Sequence, residues 1–262
     1  MTPKQQKLAE KAAPWVVIAG LLTLWQTAIL IFNPKPFILP SPLLVYHSFL
    51  AYREPIMEHA VFTLTNTLIG FAIGIVVGGL LGIFIGMSRL IYAGFYPLLI
   101  GINSVPKAAV VPVLVIWLGI GSPPAIATAF LLSFFPIAVN VAAGLATVEP
   151  ELEDVLRSLG ASKFDVLTKI SLPRSLPYFF ASLKVAVTLA FVGTVISETL
   201  ASNDGIGYMM LQAASQFRTP LMFAGLIVIA AMGIGTYLVC AFIEVRMTGW
   251  SVRKPTPSAG GG

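Results

Sequence analysis

The chain alternates long apolar stretches with short polar ones. Stretches 61–88, 91–120, 121–148, 175–197 and 219–243 each exceed twenty residues and carry no charge or a single one. A sixth, 14–32, is shorter and also uncharged. A bilayer core of ~30 Å is crossed by ~20 apolar residues of helix, so each is long enough to span. Buried helices of a soluble enzyme do not account for six such runs. The pattern predicts an all-α integral membrane protein with six transmembrane helices.

The third run departs from a simple span. Residues 91–120 as one helix would reach ~45 Å at 1.5 Å per residue, against the ~30 Å core. The run contains Pro106, Lys107 and Pro112. Proline removes a backbone hydrogen bond and crowds the preceding turn, which predicts a break near Ser104-Val105-Pro106-Lys107. The stretch Gly119 to Pro124 then turns the chain outside, and 125–147 returns it. A large inner loop covers 148–175, the fifth span 176–200, an outer loop the residues to about 219, and the sixth span 220–245. Leu39-Pro40-Ser41-Pro42 reads as a rigid turn in which Ser41 caps a short outer helix begun by Pro42. Met87-Ser88-Arg89-Leu90 reads as a tight inner turn. The organisation is then a lead at 1–13, a first span and outer connection at 14–60, a core membrane domain at 61–247, and a tail at 248–262. The Pro, Ser and Gly of that tail predict disorder.

Composition agrees. Of 262 residues 57% are apolar and 10% charged, where soluble domains average ~25% charged. The net charge of +5 does not point to nucleic acid, because the basic residues are spread between spans. Their placement sets orientation instead. With the N-terminus inside, the inner segments hold eleven: Lys4, Lys7, Lys11, Arg89, Arg157, Lys163, Lys169, Arg174, Arg246, Arg253 and Lys254. The outer segments hold Lys35, Arg53 and Arg218. This positive-inside bias predicts that both termini are cytoplasmic. Cys240 is the only cysteine, so there is no disulfide framework. Stretch 14–32 reads as a retained span, since no small-residue cleavage site precedes Asn33-Pro34-Lys35-Pro36.

Gly70, Gly74, Gly78, Gly82 and Gly86 recur every four residues along the second span. They form a stripe that lets another helix approach backbone to backbone. Intramembrane packing is one reading, and a moving contact between subunits is another. Three ionisable residues stand within or at the ends of spans, where such groups face protein or water-filled cavities. Lys184, in the fifth span, is expected to snorkel to the cytoplasmic surface. Lys107, at the predicted break, meets either freed carbonyls or an anionic solute. Glu198, at the outer end of the fifth span, is expected to face outside water, with a gate or packing role as the alternatives.

Enzymatic signatures are absent from the sequence. It contains no phosphate-binding G-x-x-x-x-G-K-S/T loop and no G-x-S-x-G elbow. His47 and His59 stand alone, without Cys or acidic residues at metal-ligand spacing, and read as interfacial polar residues.

The inner loop is the most informative stretch. Pro150 suits a first helical position. Leu152, Val155, Leu156 and Leu159 form an apolar stripe at i, i+3, i+4 and i+7, with acidic residues near the N-terminus. Gly160 is placed to end this helix. Ser162 and Asp165 make a capping-box-like start to a second short helix, which Leu172-Pro173 is expected to end before the next span. The elbow presents Leu159, Ala161 and Phe164 at its corner, apolar groups that without a partner fold back on the membrane domain or sit exposed, and that docking into a groove on a soluble protein would cover.

This loop resembles the "EAA" motif of ABC-importer permeases: EAA, three residues, Gly, nine residues, then I-x-L-P. Gly160, Ile170, Leu172 and Pro173 match that spacing, while Asp154-Val155-Leu156 stands at the E-A-A position. Leu39-Pro40-Ser41-Pro42, Pro106-Lys107-Ala108, Trp117-Leu118-Gly119, Phe134-Phe135-Pro136-Ile137 and Gly205-Ile206-Gly207-Tyr208 resemble the branch serving nitrate, sulfonates and taurine. The matches extend from about 36 to 250. The resemblance implies a type I ABC importer permease fold with a cytoplasmic coupling helix. It implies a second permease copy, as a homodimer, two cytoplasmic ATPases that carry ATP and Mg, and a periplasmic or lipid-anchored solute-binding protein. Residues Asp154, Leu159, Gly160, Ala161, Ser162, Phe164, Asp165, Ile170, Leu172 and Pro173 then take the ATPase-coupling role. Lys107 and Glu198 stand as translocation or gating candidates. The chain would carry no cofactor, metal or catalytic residue of its own and would sit in the bacterial inner membrane among lipid. An ion-coupled secondary transporter is the alternative. It would need inverted repeats and a coupling-ion site, and the six unequal spans show no clear repeat.

Overall fold

The computed structural model describes residues 3–147, 155–156 and 158–249, and all its regular elements are helical. Helix α1 (Pro3–Phe32) is continuous, so the described part of the polar lead is an extension of the first span. α2 (Pro42–Ala51) starts as the sequence predicts. Pro42 occupies the first turn, and the Ser41 hydroxyl accepts from the Leu44 N–H at 3.3 Å. α3 (Arg53–Gly86) begins before the apolar stretch does, and α4 (Arg89–Asn103) follows the inner turn.

The break in the third span is real. α4 stops at Asn103, and a 3₁₀ turn (Lys107–Val110) leads into α5 (Val111–Leu118). The two halves are bent by 75°. Gly119 and Gly121, at φ +81° and +104°, supply the outer turn, a left-handed backbone region that Cβ-bearing residues avoid. α6 (Ser122–Ala146) returns inward. Among the described residues five helices are long and apolar enough to cross a membrane, and the bent pair brings the number to six if it is counted as one span.

Two differences from the sequence reading matter for function. First, the short helix α7 (Lys163–Val166) does not end at Leu172-Pro173. It runs through a π turn (Leu167–Ser171) into α8 (Leu172–Ala201). Pro173 has no N–H to donate, and its ring crowds the carbonyl four residues back. The wider turn absorbs this, with the Leu172 N–H reaching back five residues to the Leu167 carbonyl. Second, the outer loop before the sixth span holds a helix of its own, α9 (Ile206–Ser215), ahead of α10 (Thr219–Thr248).

α3, α6 and α8 form the centre. Phe71, Ile137, Val141, Phe180, Leu183, Val187 and Phe191 pack together there. The glycine stripe explains how α3 comes so close to α6. A Cβ added at Gly70, Gly78 or Gly82 would lie 2.5, 2.5 or 2.7 Å from a backbone carbonyl oxygen of α6. The stripe therefore faces α6 of the same chain rather than a second subunit. A second cluster at the outer end joins α2, α3, α9 and α10 through Val45, Ile56, Ile206, Met209 and Leu221.

Candidate coupling and transport sites

The corner around Gly160 is tightly hydrogen-bonded and exposed. Gly160 lies at φ +88°, and the Ala161 N–H reaches back to the Leu156 carbonyl at 3.0 Å, a Schellman closure. The next helix is started by a reciprocal cap. The Asp165 N–H donates to the Ser162 hydroxyl at 3.1 Å, and the Ser162 N–H donates to the Asp165 carboxylate at 3.2 Å. Lys169 pairs with Asp165 at 2.6 Å. These bonds fix the corner, which holds Leu159 80% and Phe164 71% exposed. Ala161 and Ile170 are half-buried. Asp154, with the rest of 148–154, lies outside the described residues, as does the tail from 250.

At mid-membrane depth the break in the third span borders a cavity of about 530 Å³. Lys107 lies on its wall, with Asn103 and Ser104 from α4, Phe135 and Asn140 from α6, and Leu189 from α8. The Lys107 ammonium donates to the Asn103 carbonyl at 2.9 Å and to the Asn103 side-chain oxygen. It also stands 5.4 Å from the centre of the Phe135 ring. Lys107 thus meets a carbonyl freed by the break, and it borders the cavity.

Glu198 does not face outside water. It is fully buried, because α9 folds back over the end of α8. One carboxylate oxygen accepts from the Thr63 hydroxyl at 2.9 Å and from the Gly207 N–H at 3.0 Å. The Thr63 hydroxyl accepts in turn from the Ile206 N–H at 2.8 Å, and His59 Nδ1 accepts from the Gly205 N–H at 3.0 Å. Three side chains from α3 and α8 therefore satisfy successive N–H groups at the start of α9, which a helix leaves unpaired.

Residues 74–249 match the family model described as the binding-protein-dependent transport system inner membrane component. The chain belongs to that family. This permease is 29% identical over 240 residues to the taurine transport system permease protein TauC of Escherichia coli, covering 89% of this chain and 87% of that one. It is 29% identical over 242 residues to the formylaminopyrimidine transport permease protein ThiX of Halalkalibacterium halodurans, covering 92% and 96%. It is 28% identical to the nitrate import permease protein NrtB of Synechocystis, covering 88% and 87%. These relatives bear the names of transport components, not of enzymes. In fold the permease resembles a chain of the MetNI methionine ABC transporter in an inward-facing conformation. The TM-score is 0.65 at 17% identity, over 78% of this chain and 99% of that one. The type I ABC permease architecture follows.

The permease's remaining ionisable groups add a partner that the sequence does not show. Lys184 reaches toward the inner end of α10. It pairs with Glu244 of α10 at 2.7 Å, both side chains about three-quarters buried. Glu244 escapes notice in the sequence because it falls just past the last apolar stretch. Its partner is fixed only when α8 and α10 are packed. His59 gains a role as an acceptor, whereas His47 has an aromatic neighbour, Tyr46. Among the described residues no three metal-ligating side chains converge.

Proposed function

We propose that this permease is the membrane subunit of an ATP-driven importer that works by alternating access. A second copy of the chain, two cytoplasmic ATPases holding ATP and Mg, and an external solute-binding protein complete it. The reading is carried by one observation: the rigid, exposed Leu159–Phe164 corner continues without interruption through the π turn into α8. An ATPase that grips the corner and closes on ATP would displace α8 as one body. Since α8 packs on α6 and α3 at the centre, the displacement would reach the helices around the mid-membrane cavity. The positive-inside bias of the basic residues supports a cytoplasmic position for the corner and both termini.

The names of the relatives suggest the solute range: taurine, aliphatic sulfonates, nitrate, riboflavin and a formylaminopyrimidine. A small polar or anionic solute is common to most of them.

The test is copurification of a co-expressed cytoplasmic ABC ATPase with the chain. Gly160→Trp places a bulky side chain on a left-handed backbone position in the corner. It is expected to abolish copurification while membrane insertion and the thermal midpoint of the isolated subunit stay near wild type. Solute uptake by the purified chain in liposomes without any ATPase would overturn the reading in favour of an ion-coupled carrier.

A further inference from the structure

The cavity beside Lys107 carries an inference about cargo that rests on the importer reading above only for the direction of transport. Its depth comes first. Asn103 stands fourteen residues along α4 from the inner turn, roughly 21 Å at 1.5 Å per residue. Phe135, Pro136 and Asn140 fall about the middle of α6. The cavity therefore lies well inside a ~30 Å hydrocarbon core. A chain break at that depth frees backbone polar groups, which are tolerated only where protein covers them or water reaches them. Here the break forms part of the cavity wall, and Asn103, Ser104 and Pro106 are exposed in the single chain, which leaves the freed groups open to water.

Charge comes second. Among the described residues of this chain, Lys107 is the one ionisable group that lines the cavity, and no described carboxylate pairs with it. Its polar contacts are to neutral oxygens of Asn103. Neutral partners satisfy N–H donors and leave the net charge in place, and an uncompensated charge at membrane depth is costly. A counter-ion from solution would offset that cost. The walls come third. Leu132, Phe135, Val139, Val185 and Leu189 are apolar, while Ser104 and Asn140 are polar. Asn140 uses one amide N–H on the Pro136 carbonyl at 2.8 Å and has a second N–H for a ligand. About 530 Å³ is within the usual range of small-ligand sites.

We propose that this cavity is a mid-membrane solute site for a small organic anion, a sulfonate or carboxylate on a short hydrocarbon body. The anionic end lies against the Lys107 ammonium and the polar groups of Ser104 and Asn140. The hydrocarbon end lies against Phe135 and Leu189. A neutral solute leaves the ammonium uncompensated, and a cation is repelled.

Thiol chemistry tests this on the intact chain in lipid vesicles, with no ATPase and no knowledge of the natural solute. In a Cys240→Ala background, Ser104→Cys places a thiol on the wall and Ala51→Cys supplies an outer-surface control. Two probes of similar size are compared: 2-sulfonatoethyl methanethiosulfonate, itself a small organic sulfonate, and its trimethylammonioethyl counterpart. The wall thiol is expected to favour the anionic probe about tenfold over the control, in line with the enrichment charged clefts produce. Lys107→Gln should remove the preference and Lys107→Glu reverse it. Ethanesulfonate should slow the reaction, and choline should not. Asn140→Cys provides a second wall position if the first does not fold. The site is refuted if the wall thiol shows no preference with Lys107 present, if the preference survives Lys107→Gln, or if the control reacts and neither wall thiol does. Loss of ATPase copurification is read separately, so failure of the importer reading and failure of the anion site are distinguishable.

Discussion

The Lys184 ammonium and the Glu244 carboxylate meet at 2.7 Å between α8 and α10. This pair joins the span that continues from the Gly160 corner to the last span. Removing one partner leaves the other as an uncompensated charge in an apolar setting, which costs more than the pair itself contributes.

Lys184→Met alone and Glu244→Leu alone should therefore each destabilise the subunit by about 2 kcal/mol, a discounted value for groups retaining some solvent. The double variant should recover more than half of that loss. Thermal midpoints in one detergent check it. Additive losses in the double variant would show that the two groups do not act as a pair.

The glycine stripe gives a contrast within one helix. A Cβ at Gly78 would sit 2.5 Å from the Phe134 carbonyl oxygen, whereas one at Gly79 meets nothing within 4 Å. Gly78→Ala forces α3 away from α6 and should cost about 1–3 kcal/mol, the range for overpacking a close contact. Gly79→Ala should stabilise the helix by up to about 1 kcal/mol. Unfolding midpoints of the two variants, measured side by side, decide it. Equal effects would mean that the helix contact is looser than described.

These particulars show what the sequence makes legible. Features set by neighbours in the chain can be read directly: the apolar spans, the Ser41 cap, the break before Lys107, Gly160 and the Ser162–Asp165 cap. Each depends on backbone chemistry within a few residues. What depends on which helix faces which cannot be read. The Lys184–Glu244 pair joins residues sixty positions apart, and the burial of Glu198 follows from α9 folding over it. Pro173 misleads for a different reason. The rule that proline ends a helix is sound for an α turn, and the chain avoids the clash by widening the turn instead. The corner at Gly160 is thus visible in the sequence, but its continuity with α8 is not.

That same outer fold-back sets the last prediction. Glu198 accepts from Thr63 and from the Gly207 N–H with one oxygen, and Gly205 stands against its carboxylate at φ +97°. Glu198→Gln keeps a carbonyl oxygen for both donors, so it should leave the start of α9 in place. Glu198→Ala strands a buried hydroxyl and a buried N–H, each costing about 1–3 kcal/mol, and opens a void. Gly205→Ala is disfavoured twice, by its left-handed backbone and by collision with the carboxylate. Hydrogen exchange of residues 205–209 reads the outcome. Exchange should stay slow in wild type and Glu198→Gln and quicken at least tenfold in Glu198→Ala and Gly205→Ala. Unchanged protection in Glu198→Ala would mean that packing of Ile206 and Met209 alone holds α9, and that the carboxylate is not its anchor.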